Sequence, residues 1–293
     1  MSKLEGLAGN YSHFKEIYND IPKDKKLYRN DVFNAYGDDY ENLYKGFIYT
    51  ILWGGFGIGQ TSSYLETVIK TPKEEIVEKL QHVKTYIDNN DLKSAFNSMY
   101  SDRGKNKING IGISYLTKLL YFLCKYNNPL SKEAIPKNIV LPLIYDRWGK
   151  NMHIALLIDS TNIDSSNIEM LFKCKYLSIL DKYHGNSQKY SDYEIYEDYL
   201  NHMRCVSSKY RKKPGEMEEF LFGYAKDEKN NPDSINPHIN PRVFSELYIN
   251  KYCDFLIDPK KEWSSISEDE LTAQTTNKIK KGDKQTESKK KRQ

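Results

Sequence analysis

A glycine turn followed at once by a basic helix is the part of the chain whose residue types could do chemistry. Residues 109–120 read NGIGISYLTKLL, so Gly110 and Gly112 flank Ile111 in a tight turn whose backbone N–H groups are not covered by side chains. Exposed amides beside the positive end of a helix form a binding site for a phosphate oxygen. The sequence therefore predicts a hairpin that holds the phosphates of a nucleic-acid backbone.

The charges around this turn favour the same interpretation. Five basic residues and no Asp or Glu lie between Arg103 and Lys125, and a second acid-free basic cluster lies between Arg204 and Lys213. Such a run is often no more than a solvated face, but two of them shift the balance toward nucleic acid. The residues expected to bind DNA are Asn109, Gly110, Gly112, Ser114, Lys105, Lys107 and Arg147.

Lys118, in the helix behind the turn, has two interpretations. It could be an exposed helix lysine or a phosphate contact. It could instead be an amine nucleophile that attacks the C1′ of a sugar and forms a Schiff base, which requires that it be partly desolvated. Spacing alone leaves both open.

Asp146 favours the second interpretation of Lys118. It follows the apolar run IVLPLIY at residues 139–145 and precedes Arg147. A carboxylate at the end of a buried segment can activate a nucleophile or stabilise a developing oxocarbenium ion. An N-cap for the next helix is the alternative role, and the two can coexist.

These motifs, over residues 109–148, resemble those of the helix-hairpin-helix DNA glycosylases. The closer likeness is to the 8-oxoguanine glycosylase-fold branch, including archaeal and bacterial enzymes, and residues 214–224 look similar to a closing helix of bacterial members. The resemblance implies that Lys118 is the catalytic lysine and Asp146 the catalytic aspartate. It further implies that the enzyme flips an 8-oxoguanine-like or hypermodified base out of duplex DNA and excises it without a metal or organic cofactor. AP-lyase activity by β-elimination would accompany Lys118 as nucleophile.

The lysine position differs from that of the best-known members of the superfamily. Their lysine lies two residues beyond the second hairpin glycine, where this chain has Ser114, whereas Lys118 lies six residues beyond Gly112 and 28 before Asp146. If Lys118 is outside the site, Asp146 directs a water and the enzyme is monofunctional. Anti-phage defence against modified phage bases and a non-catalytic DNA-binding module are further alternatives.

Aromatic residues near a glycine-rich stretch could line a base pocket. Residues 50–60 (TILWGGFGIGQ) lack dinucleotide-binding spacing and a P-loop lysine. Trp53 or Phe56 could border a flipped base, or the stretch could be only a helix end with a tight turn. Trp148 and Phe222 are further possible pocket walls.

The periodicity of apolar residues predicts a mainly α fold, which the resemblance makes a two-lobed one with a cleft between the lobes. Helices are expected at residues 40–53, 71–89, 91–100, 113–126, 161–180, 190–208 and 214–225, and irregular chain at 230–242. Thr71 is the expected N-cap of the second of these, with Pro72 at its first position and Glu74 completing a capping box. Residues 139–145 could be strand, extended chain or buried helix.

The domain prediction is one glycosylase-like α-helical domain over residues 1–265, with the hairpin at 109–126, and a disordered basic tail at 266–293. Residues 278–293 carry a formal charge of +6, which leaves about −2 for the rest of a chain whose total is +4. Any nucleic-acid surface must therefore come from local clusters.

We expect a cytoplasmic monomer that makes no contact with a membrane. It would associate with the nucleoid when it binds duplex DNA. No apolar run reaches the roughly 20 residues of a membrane span, and no signal peptide is evident. Four cysteines (Cys124, Cys174, Cys205 and Cys253) without a Cys-x-x-Cys pattern are expected to be reduced, buried thiols and not zinc or iron–sulfur ligands. Six histidines are scattered, and none has an evident ligand-like partner.

Overall fold

Helices make up the regular structure of the protein, as the sequence predicts. The computed structural model describes residues 3–21, 27–54, 62–100, 104–128, 131, 134–136, 139–146, 149–151, 153 and 191–222. Within these ranges there is no strand, so the mainly α prediction is confirmed, while the cleft between two lobes stays a prediction. The α-helices are α1 (Lys3–Asn10), α2 (Ser12–Asp20), α3 (Arg29–Ala35), α4 (Tyr40–Trp53), α5 (Ser62–Ile69), α6 (Lys73–Asp88), α7 (Leu92–Tyr100), α8 (Ile113–Leu123), α9 (Asp192–Lys209) and α10 (Pro214–Phe222).

The chain divides into two compact units, Met1–Asp146 and Arg147–Gln293. None of the helices in the described ranges is long and apolar enough to cross a membrane. The predicted helix at 161–180, the irregular stretch at 230–242 and the basic tail at 266–293 lie outside the described residues. The single domain over 1–265 and the disorder of its tail therefore stay predictions.

Helix α4 is the centre of the first unit. It begins after Asp39, whose carboxylate accepts the backbone N–H of Asn42 at 2.9 Å as an N-cap, and it ends before Gly54. Most of its side chains are buried, among them Phe47 and Ile48, and it packs against α3, α6 and α8. Each buried side chain of this size contributes about 1.5–3 kcal/mol of hydrophobic stabilisation.

Helices α6 and α7 support the helix that follows the glycine turn. Both pack against α8, and the turn between α6 and α7 contains Asn90 with a positive φ of 58°. Asp91 then caps α7 by accepting the N–H of Ser94 at 3.0 Å. The capping box predicted at Thr71 is wrong: α6 begins at Lys73, and the N-cap is Pro72, which has no side-chain acceptor to offer.

Residues 139–145 are extended chain without regular structure, which settles the three-way alternative left by the sequence. The last five of these residues, 141–145, are buried. Asn127, in the 3₁₀ turn Lys125–Asn127 after α8, donates through Nδ2 to two backbone carbonyls. One is that of Pro142 at 2.7 Å, and the other is that of Tyr121 on α8 at 3.1 Å. These two hydrogen bonds fasten the extended run to the end of α8.

The second unit contains α9 and α10, which pack against each other. Helix α9 begins with a capping box in which Ser191 and Glu194 each accept the other's backbone N–H. Tyr196, Tyr199 and Met203 form its fully buried stripe. Residues 149–151 and 153 are also helical.

Candidate active site

Buried apolar side chains anchor the glycine turn, and its second glycine is exposed to solvent. Ile108 and Ile111 are buried on either side of Gly110, whose φ of 86° is a conformation that a side chain disfavours. Gly112 is the exposed N-cap of α8, and a Cβ built on it would meet no atom within 4 Å. The turn therefore offers a helix N-terminus to an approaching anion.

The residues expected to bind DNA have different degrees of exposure. Lys105, Asn109 and Gly112 are exposed, whereas Gly110, Ser114 and Lys107 are half-buried. Arg147 lies outside the described residues. The exposed members are on the turn or just before it, so the surface that could meet a phosphate is the tip of the hairpin.

Lys118 and Asp146 lie side by side. The Lys118 ammonium donates to Oδ2 of Asp146 at 3.1 Å, and the two side chains are 6% and 28% exposed. The interpretation of Lys118 as an exposed helix lysine is therefore wrong. Its catalytic role, and that of Asp146, stay predictions.

Ser114 is the second partner of the buried amine. Lys118 Nζ lies 3.0 Å from Ser114 Oγ and 3.4 Å from the Ser114 carbonyl oxygen, and it is 5.3 Å from the centroid of the Tyr115 ring. Ser114 lies two residues beyond Gly112, the second glycine of the turn. The amine of Lys118 thus reaches that position from one helical turn further along α8.

Thr117 holds the extended run in place and was not singled out from the sequence. Its hydroxyl accepts the buried backbone N–H of Tyr145 at 2.9 Å, one residue before Asp146. A threonine within an apolar helix gives little sign of this role in the sequence, because its partner lies 28 residues away.

An amine next to a carboxylate, both largely removed from water, can perform two chemical steps. The carboxylate can take a proton from the ammonium and so expose its lone pair, and its negative charge can stabilise a cation that develops nearby. Low exposure favours the proton transfer because removal from water disfavours the charged forms of both groups. It also strengthens the attraction between the carboxylate and a developing cation, because fewer water molecules screen the charges.

Trp53 packs within the first unit. Its ring meets that of Phe122 edge-on at 5.3 Å between centroids, and the guanidinium of Arg29 lies 5.7 Å from its centroid. These contacts agree with the interpretation of Trp53 as a packed residue at the end of α4. Its role in a base pocket stays a prediction. Phe56, Trp148 and the side chain of Phe222 lie outside the described residues.

A cluster of histidines and a carboxylate lies in the second unit. Asp198 Oδ2 is 2.8 Å from Nε2 of His153 and 3.2 Å from Nδ1 of His202. The expectation that no histidine has a ligand-like partner is therefore wrong. The i,i+4 spacing of Asp198 and His202 was the only sign of it in the sequence.

Burial and hydrogen bonding shift the pKa values in this cluster in different directions. Burial lowers the pKa of His153, while the hydrogen bond to Asp198 raises the pKa of His202. Burial alone would raise the pKa of Asp198, but hydrogen bonds from both imidazoles hold it well below its usual range. Asp198 is therefore ionised near neutral pH.

The cysteines differ from one another in burial. Cys124 is a buried free thiol, as expected, but Cys205 is a free thiol exposed on α9, so the expectation of burial is wrong for it. Cys174 and Cys253 lie outside the described residues.

One family model matches most of the chain. The family described as "Putative 8-oxoguanine DNA glycosylase OGG-like protein" matches residues 8–222, which include the hairpin, Lys118 and Asp146. No curated protein and no solved structure matches the chain. The match indicates a glycosylase-type function with DNA as the partner. By this match, which covers more than half of its length, the chain belongs to the OGG-like family of that description.

Proposed function

We propose that the protein excises a modified base from duplex DNA, with Lys118 as the nucleophile and Asp146 as the group that activates it. The observation that supports this most strongly is the 3.1 Å contact between a buried ammonium and a carboxylate. A buried ion pair is costly to keep for stability alone, so a chemical role is a good reason for its presence.

The reaction begins when the Lys118 ammonium transfers a proton to Asp146. The free lone pair then forms a bond to C1′ of the sugar, while the electrons of the bond from C1′ to the base nitrogen leave with the base, which takes up a proton. The C1′–O4′ bond then breaks, and a proton from the lysine nitrogen passes to O4′ as the C=N bond of the Schiff base forms. Loss of the 3′ phosphate from that imine by β-elimination would cut the strand.

Family membership and the hairpin support DNA with a modified base as the substrate class. The family is named for 8-oxoguanine, which makes that base the first candidate. The α8 N-terminus at exposed Gly112, with exposed Lys105 seven residues earlier in the chain, would hold a phosphate of the same strand. The duplex must open locally and extrude the base before the sugar C1′ can reach the amine.

Borohydride trapping tests this proposal. The full-length protein is incubated with duplexes that each carry one modified base, 8-oxoguanine first, and borohydride reduces any imine to a stable adduct. We expect an adduct with the unaltered protein and with Lys70→Ala, which changes an exposed lysine just after α5. Lys118→Ala should form none, and Asp146→Asn should form it at least about a hundredfold more slowly.

The other outcomes separate the alternatives. Base release that survives Lys118→Ala but disappears in Asp146→Asn would mean a monofunctional enzyme in which Asp146 directs a water. Release only from DNA with hypermodified phage bases would favour a defence enzyme. Binding without release on every duplex would leave a DNA-binding module. Circular dichroism of each variant shows whether the fold is retained.

A further inference from the structure

Three side chains in the second unit have the composition and spacing of a metal site. One ligand atom from each of His153, Asp198 and His202 lies within 4.8 Å of the other two. Imidazole nitrogen with carboxylate oxygen is a donor set that suits Zn²⁺ and its neighbours among the divalent transition metals.

Two of the three distances between the ligand atoms are close to those that a tetrahedral ion requires. Metal–ligand bonds of about 2.0–2.2 Å place neighbouring ligand atoms roughly 3.4 Å apart. Asp198 Oδ2 lies 2.8 Å from the nitrogen of His153 and 3.2 Å from that of His202. Movements of a few tenths of an ångström would bring these two distances to the required value, and the third, between the ligand nitrogens of His153 and His202, is at most 4.8 Å.

The helical framework holds two of the ligands on one face. Asp198 and His202 are one turn apart on α9, and α9 begins at a complete capping box. His153 comes from the separate helical residues that precede this helix in the chain. An ion bound by all three would join the two segments.

The three side chains differ in exposure, which leaves a path by which an ion can enter. His153 is fully buried, whereas Asp198 and His202 are 26% and 28% exposed. An ion could enter from the side of the exposed pair and meet His153 beneath, with a water at its fourth position.

We propose that His153, Asp198 and His202 bind one divalent transition-metal ion, of which Zn²⁺ is the best fit, and that the ion fastens residue 153 to α9. The proposal is independent of the proposed glycosylase function. Binding would replace the hydrogen bonds between the imidazoles and the carboxylate by three metal–ligand bonds, and the proton on each coordinating nitrogen would move to the other ring nitrogen or be released to solvent.

Metal retention and thermal unfolding test the site directly. The full-length, tag-free protein is stripped with a chelator, loaded with Zn²⁺, passed through a desalting column and analysed for metal. His202→Ala and Asp198→Asn remove one ligand each, and His82→Ala removes an exposed histidine of α6 as the control. Two ligand variants are used so that, if one fails to fold, the other still tests the site.

We expect the unaltered protein and His82→Ala to retain about one Zn²⁺ per chain and to gain roughly 5 °C in unfolding temperature, while Mg²⁺ gives neither effect. Both ligand variants should lose the ion and the gain. Co²⁺ in its place should give the visible absorption of a tetrahedral ion without thiolate charge-transfer bands. Equal retention by the ligand variants, no retention by any protein, or thiolate bands from a cysteine site would overturn the proposal and leave a hydrogen-bonded cluster.

Discussion

The hydroxyl of Thr117 accepts a buried hydrogen bond of 2.9 Å from the backbone N–H of Tyr145. Thr117 directly precedes Lys118 in α8, and Tyr145 directly precedes Asp146 in the extended run. The bond therefore joins the two chain segments next to the residues whose side chains meet. Catalytic geometry must be held to within about 0.5 Å, and this contact is well placed to do so.

Replacement of Thr117 by Val should reduce both stability and activity. Valine has the same shape but leaves the buried N–H of Tyr145 without its acceptor, which costs about 1–3 kcal/mol in the free energy of unfolding. The extended run should loosen at Asp146, so base excision should slow by about tenfold or more. Urea unfolding and single-turnover excision measure the two effects.

Thr85→Val is the matched control for this prediction. Thr85 is exposed on α6 and donates to the carbonyl of Gln81 at 2.9 Å, within its own helix. Its replacement should change the free energy of unfolding by less than about 0.5 kcal/mol and leave excision unchanged. A Thr117→Val protein with the stability and rate of Thr85→Val would show that the bond does not position Asp146.

Ser114→Ala should slow the reaction without unfolding the protein. The change removes the hydroxyl that lies 3.0 Å from the Lys118 amine but leaves the 3.1 Å contact with Asp146. The amine then has one fewer contact that fixes its position, so the rate of borohydride trapping should fall by about tenfold or more. Ser208→Ala, at an exposed position of α9, should trap at the rate of the unaltered protein.

Local signals in the sequence were enough to place the helices around the site. The bounds of α4 are those expected, because Asp39 caps its start and Gly54 ends it. Helix α8 begins at Ile113 as expected but ends three residues early, where the chain tightens into a 3₁₀ turn. The expectation that Lys118 lies near Asp146 came from the family resemblance. Periodicity alone does not predict a contact between two residues that are 28 positions apart in the chain.

What the sequence did not reveal depends on contacts between distant residues. The i,i+4 pair of Asp198 and His202 is readable on a helix, but His153 is 45 residues from Asp198 and joins them only through tertiary packing. Helices α1, α2, α3 and α5, each nine residues or shorter, were not predicted.

The two described cysteines should differ in their reaction with iodoacetamide. Burial raises the pKa of Cys124 to about 11, so only about one in a thousand of its thiols is ionised at pH 8. Since the thiolate is the reactive form, its labelling should be very slow and should rise with pH toward 11. Exposed Cys205 should label within minutes. Peptide mapping by mass spectrometry distinguishes the two sites, and equal labelling in guanidinium is the control.

Gly110→Ala should destabilise the hairpin. The φ of 86° at this position is available to glycine, whereas a Cβ there costs about 1–2 kcal/mol. The free energy of unfolding should fall by that amount, and DNA affinity should fall with it because the turn relaxes. A Gly110→Ala protein as stable as the original would show that the turn adopts another conformation in solution.

Gly112→Asp separates phosphate binding from folding at the same turn. Aspartate is a good N-cap, and a Cβ at this position meets nothing within 4 Å, so the free energy of unfolding should stay the same or rise slightly. If the α8 N-terminus holds a DNA phosphate, the added carboxylate repels it and DNA affinity should fall by about tenfold or more at low salt. Gly6→Asp makes the same change of charge at an equally open glycine of α1 and should bind DNA nearly as well as the unaltered protein. Fluorescence anisotropy with a labelled duplex measures the DNA affinity of both variants. An equal loss of affinity in the two would mean that DNA binding depends on net charge and not on the hairpin.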